Sequence, residues 1–254
     1  MLDPDSRDLD AVMILWAIAG VVAAAIGIWK FKQLKTSGWH LPIDWAWIKK
    51  GIAVSSVFLI ATLALRGFQT LDRYWLEALS GIETVGAYVL FMGVAGTLIV
   101  FLDAALFSFS YPVLIALNHK EQHSQAHKKI KQLFAQTCVI CAVFGALSWS
   151  GLPYFIEWIG NPVYMQAVPW YPWMLSAMVL NAIGLVPHYG LYARGQDKPI
   201  IYSHIASMLM FATCTWALNQ RFGPLAVPMG VNAAFLLILI WKIHAYVTLI
   251  HQKP

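Results

Sequence analysis

Charged residues and cysteines are both scarce in this chain of 254 residues. Asp, Glu, Lys and Arg make up 11% of it, apolar residues make up 59%, and the mean hydropathy is +0.64. Such a composition excludes an ordinary soluble domain, in which about a quarter of the residues are charged. The three cysteines, Cys138, Cys141 and Cys214, lie in apolar stretches where a thiolate is penalised. They predict packing rather than redox or metal chemistry.

The sequence also lacks the short motifs of soluble enzymes. It contains no P-loop, HExxH, GxSxG or dinucleotide-binding fingerprint. We therefore expect no enzyme, no cofactor and no metal site. The basic pI of about 9.1 calls for no nucleic acid, because anionic lipid headgroups attract the same lysines.

What the chain has instead is long apolar runs. Seven stretches meet or exceed the roughly 20 residues that cross a bilayer as a helix. They are Ala11–Trp29, Gly51–Leu71, Val85–Leu117, Ile130–Gly151, Pro169–Ala193, Pro199–Leu218 and Pro224–Ile250. The sequence thus predicts an all-α, polytopic membrane protein with seven transmembrane helices.

The basic residues predict the orientation, because Lys and Arg collect on the cytoplasmic side of membrane proteins. Thirteen of the seventeen fall on one side of the predicted spans. They are Lys30, Lys32, Lys35, Lys49, Lys50, Lys120, Lys128, Lys129, Lys131, Arg194, Lys198, Lys242 and Lys253. That side is predicted to be cytoplasmic, with the N-terminus outside and the C-terminus inside. The segment Trp39–Lys50 predicts an interfacial elbow on the same side, because Trp and Lys settle at headgroup level.

Polar groups inside predicted spans are costly, so they are the first candidates for a functional site. Arg66 lies five residues outward of the centre of its span and either faces a cavity or extends to the outer headgroups. Asp103 lies near the cytoplasmic end of the third span, as a coupling-ion carboxylate or as a hydrated helix end. Arg66 and Asp103 are too far apart along the membrane normal to pair.

The fifth span carries a stripe of small and polar residues at helical spacing, including Asn181, Gly184 and His188, with Pro187 beside it. Such a stripe lines a substrate path or lets a neighbouring helix approach closely. Pro187 interrupts the hydrogen-bond ladder of the helix.

Three histidines at intervals of four, His119, His123 and His127, predict imidazoles on one face of a helical extension. Two of them would suit zinc, but the Lys-rich surroundings offer no good third ligand. A solvated face is the preferred interpretation.

At the junction of the second and third spans the sequence resembles a known family. Asp72, Arg73, Tyr74, Trp75 and Leu76 are followed by Gly81 and then by Val85, Gly86 and Tyr88, and further matches lie in Phe107–Leu117 and His188–Pro199. This order and spacing resembles the second half of the polysaccharide (O-antigen or capsule) flippases of the multidrug/oligosaccharidyl-lipid/polysaccharide superfamily. The resemblance covers about residues 51–250, whereas those proteins have about twice as many spans.

The resemblance implies that residues 1–50 are the last helix of a first lobe plus a linker, and that residues 51–254 are a six-helix second lobe. It also implies transport of an undecaprenyl-pyrophosphate-linked oligosaccharide across a bacterial inner membrane, without covalent chemistry. The implied partners are membrane lipids and a separate first lobe or second copy. On this interpretation the candidate residues of the substrate or ion pathway are Arg66, Asp72, Arg73, Asp103, Asn181 and His188, with hinges at Pro187 and Pro228. The role of Arg66 is inferred from its charge and depth and not from a family motif.

Two alternatives stay open at the level of sequence. A seven-helix receptor or photoreceptor shares the predicted topology, but Lys242 lies near the cytoplasmic end of the last span rather than at its middle. The other alternative is an inactive fragment of a transporter.

Overall fold

The computed structural model of the chain describes residues 9–33 and 42–251, and within these ranges nearly every residue is helical and none is in a strand. The all-α class is therefore confirmed. The α-helices of the described ranges are α1 Leu9–Gln33, α2 Trp45–Ser80, α3 Ile82–Leu102, α4 Ser108–His119, α5 His123–Ile159, α6 Pro162–Ala167, α7 Tyr171–Tyr192, α8 Asp197–Phe222 and α9 Ala226–His251. A π-helical turn, Asp103–Phe107, joins α3 to α4.

Six helical segments in the described ranges are long and apolar enough to cross a membrane, instead of the seven predicted. The chain thus has the character of a multi-pass membrane protein. The difference lies in the last segment, Asp197–His251, whose 55 residues contain both the sixth and the seventh predicted spans. Within it, the 3-10 turn Gly223–Leu225 separates α8 from α9, and Gly223 has a positive φ of 54° that favours glycine.

The chain divides into two compact units, Met1–Ile52 and Ala53–Pro254. In the first unit, α1 is apolar along its length, with Asp10 in its first turn and Lys30 and Lys32 in its last. Each charge has the sign that the helix dipole favours at that end.

The predicted interfacial elbow, Trp39–Lys50, is described from residue 42 onward, and its earlier residues lie outside the described ranges. Its second half, from Trp45, forms the first turns of α2. Asp44 begins that helix, because its carboxylate accepts a hydrogen bond of 3.0 Å from the backbone N–H of Trp47.

Contacts in the second unit set the direction of each helix. Lys242 and Gly230 of α9 meet His204 and Thr215 of α8 in reversed order, so α8 and α9 are antiparallel. Tyr246 and Leu239 of α9 meet Gly190 and Gly184 of α7 in the same order, so α7 and α9 are parallel. Asn118 and His123, on either side of the turn before α5, and Gln196, in the turn before α8, line one pocket, so these two turns lie at the same end of the unit.

Glycines allow the close approach of these helices. A Cβ added at Gly190 would lie 2.6 Å from the ring of Tyr246, and one added at Gly184 would touch Leu239 of α9. A Cβ added at Gly230 would clash with the hydroxyl of Thr215 on α8. The stripe predicted on the fifth span thus serves packing at Gly184, where α7 meets α9.

Candidate functional site

The candidate functional site is built around a lysine that the helices of the second unit bury. Lys242 of α9 is 3% exposed, and His204 of α8 beside it is 8% exposed. Nζ of Lys242 lies 3.1 Å from Nε2 of His204 and 3.2 Å from Nδ1 of His188 on α7. We call Lys242, His188 and His204 the buried triad.

Hydrogen bonds around the triad define its protonation pattern. The ring of His204 also hydrogen-bonds the backbone carbonyl of Ala61 on α2. Because Nε2 faces Lys242, Nδ1 is the nitrogen that donates to Ala61, which leaves the Nε2 lone pair to accept from the lysine. Within the described ranges no carboxylate lies within ion-pair distance of Lys242. A lone buried charge of this kind costs several kcal/mol unless other groups compensate it.

Aromatic rings connect the triad to a cavity at the same end of the unit. The ring of His188 stacks against the rings of both His204 and Tyr192, with centroid distances of 6.3 and 6.2 Å. Tyr192 in turn contacts the rings of Tyr111 and Phe58. His188 therefore lies between the buried lysine and the cavity wall.

The cavity has a volume of about 1070 Å³. Its wall combines cationic or protonatable groups with aromatic ones, a mixture that suits an anionic group attached to a sugar. These lining residues are Phe58, Tyr111, His119, His123, His127, Tyr192 and Arg194. Asp197 lines it as well, and its Oδ1 is buried without a hydrogen-bond partner.

The three predicted loop histidines all line this cavity, but the prediction that they share one helical face is wrong. His119 ends α4 and His123 begins α5, with a turn between them in which Glu121 has a positive φ of 57°. No group of three metal-ligating side chains occurs among the described residues.

Arg66 and Asp103, the two charges singled out from the sequence, lie outside the triad. Arg66 is exposed on α2 and donates a hydrogen bond of 3.3 Å to Gln69. Asp103 is exposed at the start of the π-helical turn and accepts a hydrogen bond of 3.4 Å from the hydroxyl of Tyr189. The ring of Tyr189 also contacts the ring of His188, with centroids 5.6 Å apart, so Tyr189 connects Asp103 to the triad.

Asp72 and Arg73 separate in the structure although they are adjacent in sequence. Asp72 is buried on α2 and accepts a hydrogen bond of 2.6 Å from the hydroxyl of Tyr88, whereas Arg73 is exposed. Asn181 is half-buried on α7. The structure therefore brings His188, alone among the predicted pathway residues, into the buried triad.

The two candidate hinge prolines occupy different positions in their helices. Pro187 lies inside α7, where it removes the hydrogen bond to the carbonyl of Ile183. Pro228 lies in the first turn of α9, where a backbone N–H has no helical partner in any case. The hinge roles stay predictions, and Pro187 has the better position for one.

Lys242 was not predicted as a site residue, because its sequence position placed it among the lysines of the cytoplasmic side. The signal was present in the helical spacing of Phe235, Ile238, Lys242 and Tyr246, which share the buried face of α9.

No family model, curated protein or solved structure matches the chain.

Proposed function

We propose that the chain is part of a membrane transporter that moves an undecaprenyl-pyrophosphate-linked oligosaccharide from the cytoplasmic to the periplasmic leaflet of a bacterial inner membrane. The process needs no covalent chemistry, since its task is to shield a polar headgroup from hydrocarbon. The proposal rests on the order of motifs that resemble the polysaccharide flippases. The structural observation that supports it most strongly is the cavity at the end of the second unit.

The cavity supports the proposal through the chemistry of its wall. Arg194 offers a planar guanidinium that suits the oxygens of a phosphate, and His119, His123 and His127 add nitrogen donors. Tyr111 and Tyr192 provide flat aromatic surfaces with hydroxyl groups, which suit sugar rings. By the distribution of Lys and Arg, this end faces the cytoplasm, where the lipid-linked sugar is assembled under the proposal.

The two units fit the proposal as parts of a larger transporter. The second unit supplies six long helical segments, as a second lobe would, and the last three of them alternate in direction. Helix α1 would be the last helix of a first lobe. A separate first lobe or a second copy of the chain would then complete the substrate path. An inactive fragment would lack such a partner, and co-purification of a partner chain discriminates between the two.

The burial of Lys242 bears on the photoreceptor alternative, which requires a buried lysine in the last helix. Nζ of Lys242 is engaged by two imidazoles and has no carboxylate counter-ion within ion-pair distance among the described residues. A retinal-like chromophore also needs room around Nζ, yet Lys242 does not line the cavity. Purified protein is expected to show no absorption band in the visible range.

Binding of the lipid-linked headgroup tests the proposal. Native mass spectrometry in detergent would compare an undecaprenyl-pyrophosphate-linked oligosaccharide with undecaprenol. Arg194→Gln should weaken binding of the former by roughly 10- to 100-fold, since a charged hydrogen bond contributes about 1.5–3 kcal/mol. Arg221→Gln is the matched control, because Arg221 is exposed at the opposite end of α8. Equal binding of undecaprenol and the pyrophosphate lipid would contradict the proposal.

A further inference from the structure

The hydrogen bonds of the buried triad restrict which of its nitrogen atoms can carry protons. A lysine ammonium has three N–H groups, and two of them point at imidazole nitrogens 3.1 and 3.2 Å away. Both imidazoles must then be neutral on the side that faces the lysine, since a protonated nitrogen there cannot accept. With Lys242 as an ammonium, the triad therefore carries a single positive charge among three basic groups.

The triad keeps both of its hydrogen bonds when it loses one proton. Nδ1 of His188 takes a proton from the ammonium while the opposite nitrogen of the same ring releases its own proton to water. Lys242 is then a neutral amine, whose lone pair accepts from His188 and whose N–H still donates to His204. A second added proton, in contrast, would place two like charges about 3 Å apart, which the buried setting disfavours.

His188 is the member of the triad that contacts the cavity wall. It is half-buried, unlike Lys242 and His204, and its ring stacks on Tyr192 in the cavity wall. The hydrogen bond from His204 to Ala61 fixes that ring as an acceptor, so His204 holds the lysine in place. The two histidines thus have different tasks although their distances to Nζ are almost equal.

Other titratable groups face the triad from the helices packed against it. On α7 these are Tyr189 and Tyr192, and Asp103 approaches through its hydrogen bond with Tyr189. On α9, Tyr246 lies one turn beyond Lys242. Helix α2 contributes only the backbone of Ala61, which does not titrate. Asp103 is exposed and three of the others are phenols.

We propose that Lys242, His188 and His204 form a reversible proton-binding site inside the helical bundle, with His188 as the relay to the cavity. Proton binding by the triad stands on its own geometry. Its use in driving the movement of a lipid-linked oligosaccharide rests on the proposed function. The reaction balances as follows: one N–H bond of the Lys242 ammonium breaks and an Nδ1–H bond forms on His188, while the N–H bond at the opposite nitrogen of that ring breaks and its proton passes to water.

The test measures charge movement without a transport substrate. Purified protein in liposomes on a solid-supported membrane receives a step in pH, and the transient current reports proton binding or release. Wild type is expected to give a current above that of protein-free liposomes, and Lys242→Met is expected to lose it. The matched control Lys198→Met removes an exposed cation at the start of α8 and should keep the current. Wild-type current in Lys242→Met, or none in wild type, would overturn the proposal.

His188→Gln keeps the test decisive if Lys242→Met does not fold. Glutamine still accepts a hydrogen bond from the ammonium but cannot relay a proton through a ring. The rise of the current should slow by roughly 10-fold or more, by analogy with loss of a positioned acid–base group. An unchanged rise time would count against the relay. The assay contains no lipid-linked sugar, so it tests the proton site independently of the proposed function. A proton current in a protein that fails a separate sugar-transport assay would refute the proposed function and leave the proton site intact.

Discussion

The hydroxyl of Tyr88 on α3 donates a hydrogen bond of 2.6 Å to Oδ2 of Asp72 on α2, and both residues are about 1% exposed. The other carboxyl oxygen accepts from the backbone N–H of Arg73 at 2.7 Å. The pair therefore ties together the first two long helices of the second unit across the turn at Gly81. It also gives a physical reason for the Asp72 and Tyr88 positions in the predicted motif.

Tyr88→Phe should destabilise the protein by about 1–3 kcal/mol, because it leaves a buried carboxyl oxygen without its donor. Thermal unfolding in detergent, followed by tryptophan fluorescence, measures the effect. Tyr154→Phe removes the same hydroxyl from a side chain that is 75% exposed and should leave the midpoint unchanged. Equal midpoints for Tyr88→Phe and wild type would show that the hydrogen bond does not stabilise the fold.

Gly190→Ala should lower the unfolding midpoint, because the added Cβ would lie 2.6 Å from the ring of Tyr246 and 3.3 Å from Ile130. Overpacking of this kind costs about 1–3 kcal/mol. Gly93→Ala is the matched control, since it gains the same helix propensity and meets nothing within 4 Å. A Gly190→Ala protein as stable as Gly93→Ala would mean that α7 and α9 are not closely packed at this point.

Residues Gln196 and Gln220, at opposite ends of α8, should become accessible from opposite sides of the membrane. Each is exposed and is replaced by cysteine in a chain whose Cys138, Cys141 and Cys214 have been changed to serine or alanine. A membrane-impermeant maleimide applied to sealed vesicles of known orientation then reports the side. We expect labelling of Gln196→Cys from the cytoplasmic face alone and of Gln220→Cys from the periplasmic face alone. Labelling of both from one face would show that α8 and α9 do not cross the membrane separately.

Arg66→Ala should reduce the amount of surface polysaccharide without reducing the amount of protein in the membrane. The expectation follows from a cation within an apolar helix, which would attract a pyrophosphate along the substrate path. Gln69→Ala is the control, because it removes the hydrogen-bond partner of Arg66 and keeps the charge. Unchanged polymer in Arg66→Ala cells whose surface polysaccharide depends on this chain would rule out the role.

The helices could be predicted from the sequence because long apolar runs leave few alternatives in a membrane. The seven predicted crossings and the six long apolar segments differ at α8 and α9, because the three-residue turn between them, Gly223–Leu225, carries no charged residue that would mark a loop. The break between His119 and His123 was missed because spacing alone does not show that Glu121 adopts a positive φ.

The buried triad could not be read from local patterns, because its partners are far apart in the chain. His188 and His204 are separated from Lys242 by 54 and 38 residues, and only the packing of α7, α8 and α9 brings them together. A lysine beside Trp241 near the end of an apolar span has the local features of an interfacial residue. Its burial depends on which face of α9 meets the neighbouring helices.

Translocation in reconstituted vesicles tests the central claim most directly. A fluorescent undecaprenyl-pyrophosphate-linked oligosaccharide is placed in both leaflets, and a membrane-impermeant quencher reports how much of it moves between them. With the chain and its completing lobe or second copy present, the protected fraction should decline with time, and Arg194→Gln should slow this decline while Arg221→Gln should not. A protected fraction that stays constant with the complete assembly, as in protein-free vesicles, would contradict the proposed transport function.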